Sequence, residues 1–321
     1  MAHTPGNPPT EGTLVVESSE GGWRLDAFLA RRQLVPSSSA ARRAVAAGVV
    51  RINGRVARKG VHLEPGDTVD MGGGTSTDTV LVPAPQLDLT VLYQDDDLVA
   101  VVKPSGIASH PLRPRDAATL AAALVARFPE CAAASPDARE GGLGHRLDVA
   151  TSGVLLAARS RETWYRLREA LGSPSCEKIY LAEIDGEFAS ARTDADTFVV
   201  PGPRPTSFVV TVPIGRQGRH GGRVKLGSGR QPLAARTEIA LVETRQDSAL
   251  VEARLSRGRA HQVRAHMAYL GIPVKGDPIY GASDASGDLR LHAWVLCLLH
   301  PMTGKFLRIE APPPDWARRQ P

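Results

Sequence analysis

The most informative stretch of the sequence is a polar loop that leads directly into an apolar strand. The loop reads Gly144-His145-Arg146-Leu147-Asp148-Val149-Ala150-Thr151-Ser152-Gly153, and the apolar run Val154-Leu155-Leu156-Ala157-Ala158 follows at once. Glycines at both ends permit tight turns, and the strand gives the Asp148 carboxylate a rigid scaffold. Considered alone, an aspartate beside an arginine and two hydroxyls is more often a loop cap than a catalytic group. The loop is therefore a candidate site, with capping as the alternative.

The sequence around this loop has the pattern of an α+β domain. From residue 89 onward, short runs rich in Val, Leu and Ala, such as 98–102, alternate with Gly and Pro turns, which is typical of strands. Apolar residues at helical spacing predict helices over 117–128, 161–171 and 259–270. We therefore expect one α+β domain over residues 89–321.

The basic charge of the chain is concentrated near its N-terminus. The 321 residues carry 39 Lys+Arg and 34 Asp+Glu, a net charge of +5. Residues 21–60 alone hold nine basic side chains and one acidic side chain, so the remainder of the chain is slightly acidic. Such a patch attracts phosphate, although a solvated face that only keeps a protein soluble has a similar composition.

This basic region also has the pattern of a small α/β domain over residues 21–75. Leu25, Phe28 and Leu29 repeat at helical spacing, and serines at 37–39 offer the N-cap of a second short helix. The dipeptide Asn53-Gly54, between two short β-type runs, is a strong hairpin signal.

Segments of low complexity border this domain on both sides. Residues 1–20 mix Pro, Gly, Thr, Ser and Glu without apolar periodicity, which predicts a disordered lead-in. The glycine-rich run after residue 71 predicts a flexible linker, which we place at residues 76–88.

Several kinds of cofactor chemistry lack their sequence signatures. Gly304-Lys305 is followed by Phe306, so it is not a P-loop, and residues 142–144 lack the third glycine of a dinucleotide fingerprint. His261 and His266 are five residues apart, whereas a helical zinc pair needs a spacing of four. The three cysteines are widely spaced and suit neither a disulfide framework nor a zinc site. We expect no cofactor and no metal.

Location and assembly are read from the distribution of apolar residues. No apolar run approaches the roughly 20 residues that cross a bilayer, and residues 1–13 lack the basic and apolar segments of a signal peptide. We therefore expect a cytoplasmic protein without a membrane contact. Because no apolar stripe remains beyond those expected for cores, we expect a monomer.

The loop belongs to a series of motifs that resembles the RluA-type pseudouridine synthases. The family signature H-R-L-D-x-x-T-S-G is matched from His145 to Gly153. The other landmarks follow in order and are Lys103-Pro104-Ser105-Gly106, His110-Pro111, Lys178-Ile179-Tyr180-Leu181-Ala182, Gly258-Arg259-Ala260-His261-Gln262-Val263-Arg264-Ala265-His266, Gly276-Asp277-Pro278-Ile279-Tyr280-Gly281, Leu291-His292-Ala293 and His300-Pro301. The resemblance spans about residues 89–316 and implies a catalytic domain with a mixed or antiparallel sheet.

Two positions depart from the family pattern. Ala260 stands where the G-R-T-H-Q motif has its usual Thr, and Arg257 stands where a Thr often precedes the Gly of that motif. Neither is expected to react, but both can change how this loop holds RNA.

The resemblance assigns roles to residues by their position in these motifs. Asp148 matches the catalytic aspartate, Tyr180 the active-site tyrosine, and Arg264 the basic residue that pairs with the aspartate. Arg259 is the alternative partner of Asp148, in which case Arg264 contacts phosphate. The aspartate acts either as a nucleophile or by assisting an elimination, and the resemblance leaves both mechanisms open. Tyr180 is better suited to stacking on uracil than to accepting a proton, because the ordinary pKa of tyrosine is near 10.

The motif residues around Asp148 are expected to contact the RNA or line the pocket. These candidates are His145, Arg146, Arg259, His261 and Gln262. For His145 and Gln262 in particular, structural hydrogen bonding is the alternative. Because the reacting atoms of a uridine are inaccessible within a helix, we expect the enzyme to flip the base.

The N-terminal domain resembles the RNA-binding domain first seen in the ribosomal small-subunit protein S-four. The matching stretches are Arg24-Leu25-Asp26, Arg51-Ile52-Asn53-Gly54 and Gly66-Asp67-Thr68-Val69. In that family the second helix and the following hairpin present basic residues to RNA, so the resemblance makes Arg42, Arg43 and Arg51 candidate RNA contacts.

Together the resemblances imply an RNA pseudouridine synthase, an isomerase that needs no cofactor and whose partner is RNA. Large-subunit ribosomal RNA is the expected substrate, because the added RNA-binding domain suits a folded RNA, and transfer RNA is the alternative. A function from another class is that of a non-catalytic RNA-binding factor in ribosome assembly. The presence of Asp148, Tyr180 and Arg264 together argues against a purely binding protein.

Overall fold

The computed structural model of the chain divides into two units, Met1–Val80 and Leu81–Pro321. The residues that the structure describes are 13–32, 34–35, 37–46, 48–71, 81–111, 118–192, 198–216, 223–228, 230–281 and 287–318.

The N-terminal unit is a four-stranded antiparallel sheet that packs on two helices. Its strands are β1 (Leu14–Val15), β2 (Val50–Ile52), β3 (Arg55–Val56) and β4 (Thr68–Met71), in the order β1-β4-β2-β3, and its helices are α1 (Leu25–Arg31) and α2 (Ser38–Ala46). The apolar stripe of α1 is buried, as its spacing predicts, with Phe28 and Leu29 fully inaccessible. Asn53 and Gly54 have φ angles of 51° and 75°, as a tight hairpin turn requires.

The order of the chain extends beyond the predicted limits of this unit. Residues 14–20, predicted to belong to a disordered lead-in, contain β1 and a 3-10 turn at Ser18–Glu20, so the prediction is wrong for them. The cause is the apolar triplet that begins at Leu14, which pairs with β4 and buries Val16. Residues 1–12 lie outside the described residues.

The predicted linker at 76–88 also differs from the structure. Residues 76–80 are not described, but 81–88 pack on the second unit, where Leu81 and Ala84 are buried. The Ala84 N–H donates to the Ala122 carbonyl at 3.0 Å. Apolar side chains in this Pro-rich segment, including Leu87, thus pack it on the core.

The second unit is built on one large mixed sheet. Its strands are β5 (Val91–Gln94), β6 (Leu98–Lys103), β7 (Ser152–Ala158), β8 (Glu177–Asp185), β9 (Val199–Pro201), β10 (Ser207–Val210), β14 (Thr237–Thr244), β15 (Ser248–Leu255), β16 (Leu291–Leu299) and β17 (Phe306–Glu310). The order is β5-β6-β7-β16-β8-β15-β14-β10-β9, and β17 pairs with β16. Among these pairs only β7 and β16 run parallel. A smaller sheet, in the order β12-β11-β13, consists of β11 (Ile214–Arg216), β12 (Lys225–Leu226) and β13 (Arg230–Leu233).

Among the described residues of this unit, three α-helices accompany the large sheet, and each overlaps a predicted helix. They are α3 (Leu120–Arg127), α4 (Arg161–Gly172) and α5 (Gln262–Tyr269). Along β6 and β7 successive side chains alternate between two cores: Val99 and Leu155 pack with α3, whereas Leu98 and Leu156 pack with α4. Because both faces are covered, these strands are continuous apolar runs rather than alternating ones.

The centre of the sheet brings the signature loop to the strand that carries Tyr180. Strand β16 lies between β7 and β8, and its Ala293 is opposite Gly153 on one side and Tyr180 on the other. The loop that ends at β7 is therefore two strands away from Tyr180.

Within the described residues, none of the helices has the length and apolar character of a membrane-spanning segment.

Gly153 is predicted to tolerate no side chain, because the backbone of the neighbouring strand β16 lies too close to it. Its φ angle is +121°, and an added Cβ would lie 2.1 Å from the Ala293 carbonyl oxygen. We expect Gly153→Ala to lower the free energy of unfolding by about 3 kcal/mol or more, through overpacking and backbone strain. Urea unfolding followed by circular dichroism measures this change.

Gly172→Ala is the matched control, since an added Cβ at this helical residue meets no atom within 4 Å. This variant should be as stable as the wild-type protein or slightly more stable. Equal stability of the Gly153 and Gly172 variants would contradict the close approach of β7 and β16.

Candidate active site

The loop that carries Asp148 is held on one side by the buried side chain of Lys103, at the end of β6. The Lys103 ammonium donates to the carbonyls of Pro104, Ile107 and Val149 at 2.7, 2.7 and 2.9 Å, so each of its three protons has an acceptor. Burial lowers the pKa of Lys103 to about 8, against the opposing effect of the Asp148 charge. Lys103 thus fixes the residue that follows Asp148.

Two serines and a backbone amide of the 103–109 segment complete this attachment. The Ser109 hydroxyl donates to the Leu147 carbonyl at 3.0 Å and accepts the Leu147 N–H at 3.1 Å. The Ser105 hydroxyl donates to the Ala150 carbonyl, and the Gly106 N–H to that of Val149. Backbone groups on both sides of Asp148 are therefore bonded to a single segment.

Helix α4 holds the beginning of the loop from another direction. The Trp164 indole N–H donates to the Leu143 carbonyl at 3.1 Å, and the Arg168 guanidinium donates to the Gly144 carbonyl at 2.9 Å. An added Cβ on Gly144 would lie 2.7 Å from a Leu167 methyl carbon, so the helix and the loop touch without room for a side chain.

A buried arginine links two carboxylates at the centre of the site. Arg264 on α5 donates through Nη1 to Asp148 Oδ2 at 2.9 Å, and through Nε and Nη2 to the two oxygens of Asp277 at 2.7 Å each. The exposed fractions of the three side chains are 5% for Arg264, 0% for Asp277 and 21% for Asp148. Asp277 is therefore the buried anchor, and Asp148 is the carboxylate that solvent and substrate can reach.

The ionisation of the buried pair is set by competition between burial and hydrogen bonding. Burial alone would raise the pKa of Asp277, but hydrogen bonds from Arg264 and from the backbone of Ile279 and Tyr280 bring that pKa below its ordinary value. Burial would lower the pKa of Arg264, and its two carboxylate partners raise it instead. Both groups are charged at neutral pH.

The structure pairs Asp148 with Arg264 and not with Arg259, the alternative left open by the sequence. The Arg259 guanidinium donates to the Ala234 carbonyl at 3.3 Å and lies at the edge of the pocket. The anchor Asp277 was missed: it lies within a recognised motif, Gly276-Asp277-Pro278, but nothing in the sequence indicates that it shares Arg264 with Asp148.

His261 approaches the same oxygen of Asp148 from the start of α5. Its Nε2 is 3.7 Å from Asp148 Oδ2, and its Nδ1 is 3.1 Å from the Tyr280 hydroxyl, which accepts the Val224 N–H. We assign the ring proton to Nε2, so that the Tyr280 hydroxyl donates to Nδ1 and Nε2–H faces Asp148 Oδ2 beyond hydrogen-bond distance. Burial lowers the pKa of His261, so the ring is neutral at pH 7. His261 adopts φ 55°, a left-handed conformation, so its ring position depends on a strained backbone.

Tyr180 lines the pocket that contains Asp148. Burial, followed by the Asp148 charge, raises the pKa of Tyr180 well above its ordinary value. The phenol is therefore a poor proton acceptor at neutral pH, which favours stacking over base catalysis.

The candidate site residues of the catalytic domain all line one pocket, with a volume of about 660 Å³. It is lined by His145, Arg146, Asp148, Tyr180, Arg259, His261, Gln262 and Arg264. The volume suits a nucleotide-sized ligand.

Two of these residues have side chains committed to structural bonds. The Gln262 amide donates to the Arg236 carbonyl and the Thr237 hydroxyl and accepts the Arg259 N–H, which uses both its protons and its oxygen. His145 accepts the Leu156 N–H through Nε2, and burial lowers its pKa to about 3. For Gln262 and His145 the geometry favours structural hydrogen bonding over the predicted RNA contact.

The candidate RNA contacts of the N-terminal unit lie on its exposed surface. Arg42 and Arg43 are on α2 and Arg51 is on β2. The Arg51 guanidinium donates to the Gly54 carbonyl across the hairpin turn, and Arg42 Nε is 3.7 Å from an Asp26 oxygen.

The described residues contain one group of side chains with the spacing of a metal site. Potential ligand atoms of Asp95, Asp97 and His300 lie within 4.8 Å of one another. His300 bonds to Asp95 through Nε2 and accepts two backbone N–H groups through Nδ1, and Asp95 accepts the Asp97 and Leu98 N–H groups and the Tyr93 hydroxyl. These bonds explain the cluster as a structural network.

Lys103 is predicted to be essential for the loop conformation. Lys103→Met removes the three hydrogen bonds that the buried ammonium donates to the carbonyls of Pro104, Ile107 and Val149, so we expect the free energy of unfolding to fall by about 3 kcal/mol, even though a buried charge is also removed. The exposed residue Lys305 provides the control, and Lys305→Met should change stability by no more than about 0.5 kcal/mol. Urea unfolding of both variants measures the difference. A Lys103→Met protein of wild-type stability would show that the loop holds its shape without this ammonium.

Comparison with known proteins identifies the family to which this arrangement belongs. The family model described as RNA pseudouridylate synthase matches residues 97–269, and the S4 domain model matches residues 23–69. The chain is 34% identical to ribosomal large subunit pseudouridine synthase D of Xanthomonas campestris, over 95% of this chain and 90% of that protein. It is 31% identical to the protein of the same name from Nitrosomonas europaea, over 97% of this chain and 87% of that protein. The solved structure of human RNA pseudouridylate synthase domain containing 1 shares the fold, with a TM-score of 0.53 and 23% identity over 72% of this chain and 85% of the human one. Together with the geometry of the pocket, these matches show that the chain belongs to the RNA pseudouridine synthase family, whose members are isomerases, and that it carries an N-terminal S4 domain.

Proposed function

We propose that the protein converts uridine to pseudouridine in large-subunit ribosomal RNA and that Asp148 is its catalytic carboxylate. The observation that carries this assignment is the buried Arg264 held between Asp277 and Asp148. It fixes one oxygen of Asp148 and leaves the carboxylate accessible at the pocket.

The reaction requires a positioned carboxylate and no co-reactant. The bond between ribose C1′ and uracil N1 breaks, the base turns, and C1′ joins to C5, while a proton leaves C5 and another is gained at N1. Arg264 and His261 both face Asp148 Oδ2, and no described residue hydrogen-bonds Oδ1. Oδ1 can therefore face the substrate, as a nucleophile toward C1′ or as the group that assists an elimination.

The other residues of the pocket suit the handling of a detached base. The Tyr180 ring can stack on uracil, and the neutral His261 can offer its Nε2 proton to a uracil carbonyl or a ribose oxygen. A uridine inside a helix cannot reach this pocket, so the substrate base is flipped out, at a cost of a few kcal/mol that protein–phosphate contacts offset.

The choice of ribosomal RNA is supported by two findings. Both bacterial relatives described above are named as pseudouridine synthases of the ribosomal large subunit, and the basic S4 domain suits a folded RNA. Transfer RNA is the alternative substrate. We also propose a monomer, because one chain supplies every residue of the site described above, and a cytoplasmic location, because the two relatives named above are bacterial and bacteria make their ribosomal RNA in the cytoplasm.

The catalytic role of Asp148 is tested by comparing wild-type protein with Asp148→Asn. The substitution is nearly isosteric but removes the reacting oxygen charge, so we expect no pseudouridine with the variant and RNA affinity within about threefold of wild type, since one charge among many is lost. The measurement is a pseudouridine map of unmodified large-subunit ribosomal RNA and transfer RNA after incubation with each protein, together with filter binding.

The exposed residue Asp185 gives the matched control, and Asp185→Asn should produce the wild-type map. Product with Asp148→Asn would exclude Asp148 as the catalytic group. Sites in transfer RNA alone would replace the substrate assignment, and tight binding without product by the wild-type protein would support the non-catalytic assembly factor.

The basic surface of the S4 domain is tested through the salt dependence of binding. Replacing Arg42, Arg43 and Arg51 by Gln in the full chain should reduce the slope of log affinity against log salt by about 2 to 3, because each phosphate contact contributes about 0.7 to 0.9. Filter binding to a large-subunit ribosomal RNA transcript between 50 and 300 mM salt, roughly the range over which such contacts weaken, measures the slope.

A control variant carries the same charge change elsewhere. Arg166, Arg308 and Arg318 are exposed and paired with surface acids, so their replacement by Gln should leave the slope almost unchanged. Equal slopes for the two triple variants would mean that the three S4-domain arginines do not contact phosphate.

A further inference from the structure

We propose that Arg257 and Arg168 form a phosphodiester-binding site at the α4 side of the pocket, which holds the RNA strand beside the reacting nucleotide. This inference rests on the proposed function, because it concerns how the same pocket holds its RNA substrate.

Both guanidiniums are anchored to the protein backbone by a single bond each. Arg257 Nε donates to the carbonyl of Gly172, the last residue of α4, at 2.9 Å. Arg168, one turn earlier on the same helix, donates through Nη1 to the Gly144 carbonyl, and its guanidinium carbon lies 5.4 Å from the Trp164 ring centroid. An arginine has five N–H donors, so each group retains several for a ligand while its plane is held in place.

Neither arginine has an acidic partner within the described part of the chain. Arg166, also exposed and on the same helix, is paired with Glu162 at 2.8 Å, and Arg308 is paired with Glu310 at 2.8 Å. By contrast, no described carboxylate lies within ion-pair distance of Arg168 or Arg257. Their charge is therefore not cancelled by the protein.

A buried lysine adds to the positive charge at the same place. Lys178 Nζ donates to the carbonyls of Leu171 and Ser256 at 2.9 Å each. These residues immediately precede Gly172 and Arg257, so Lys178 ties together the two segments that meet at the proposed site. Burial is the main cause of the lowered pKa of His145, and the positive charges of Lys178 and Arg168 lower it further.

The pocket has more positive charge than is needed to balance the single carboxylate of Asp148. Its lining has six cationic side chains and one carboxylate, Asp148, and only Arg264 among the cations contacts that carboxylate. Uracil and ribose are neutral, whereas the strand that carries them has one negative charge per nucleotide. A planar guanidinium matches the geometry of phosphate oxygens, so the unpaired arginines fit the phosphodiesters on either side of the flipped base.

Because of Arg257, the proposed phosphodiester contact is a specific feature of this chain. It stands where the RluA-type motif often has a Thr, and a neutral hydroxyl offers one hydrogen bond and no charge. We therefore expect this protein to hold its substrate more tightly, and with greater salt sensitivity, than a version with a neutral side chain at this position.

The test is Arg257→Gln in the full chain, with Arg257→Lys and Arg166→Gln as comparisons. The probe is a large-subunit ribosomal RNA transcript, used for both turnover and filter binding. We expect Arg257→Gln to raise KM and Kd about tenfold, with kcat within about twofold, and to reduce the salt slope of binding by about 0.7 to 0.9. Arg257→Lys should keep the slope, and Arg166→Gln should match the wild-type protein in every measurement.

An unchanged salt slope with Arg257→Gln, or a lower kcat at constant KM, would overturn the proposal. Thermal unfolding of each variant identifies a loss that is only structural, because a folded Arg257→Gln protein must still show the flatter slope. A wild-type protein that makes no pseudouridine would refute the proposed function, yet the salt slopes would still decide whether Arg257 contacts phosphate.

Discussion

The pocket depends on one buried cation that is shared by two anions. Arg264 is almost completely removed from water, and a guanidinium in that position is stable only if its donors meet charged acceptors. Asp277 supplies a bidentate, fully buried partner that is itself held by backbone N–H groups. Asp148 therefore meets a donor whose position is set by its two bonds to Asp277. The geometry of the accessible carboxylate is thus determined by the inaccessible one.

Two buried lysines hold irregular segments of the protein by donating hydrogen bonds to backbone carbonyls. Lys103 donates hydrogen bonds to the carbonyls of three residues in and near the signature loop. Lys178 donates to one carbonyl near the end of α4 and to another in the residue before Arg257. Loops have carbonyls that no sheet or helix satisfies, and a buried ammonium can satisfy several at once. These hydrogen bonds fix backbone positions around the pocket, and the cysteines Cys131, Cys176 and Cys297 are free.

The sequence predicted helices of the fold and, through the family resemblance, the pairing of Asp148 with Arg264, but not the buried contact of Arg264 with Asp277. Periodicity located α3, α4 and α5 because their apolar faces repeat at helical spacing, and the signature motif located Asp148. The position of Asp277 could not be derived, because its contact with Arg264 and the contact of Arg264 with Asp148 join segments that are far apart in sequence. Composition also failed at residues 14–20, where the short apolar triplet from Leu14 to Val16 outweighs a polar background once a neighbouring strand is present. For Gln262 and His145, the sequence could not show that polar atoms of both side chains are engaged in structural hydrogen bonds.

The place of β16 in the sheet has a consequence for the order in which the enzyme is made. This strand, close to the C-terminus, lies between β7, which follows Asp148, and β8, which carries Tyr180. A ribosome that has released only the first 280 residues has therefore produced the aspartate, the tyrosine and the arginine without the strand that aligns them. Pairings between segments so distant in sequence form slowly, after local structure. The segment of the S4 domain is thus complete in the nascent chain before the strand that lies between β7 and β8 has been made.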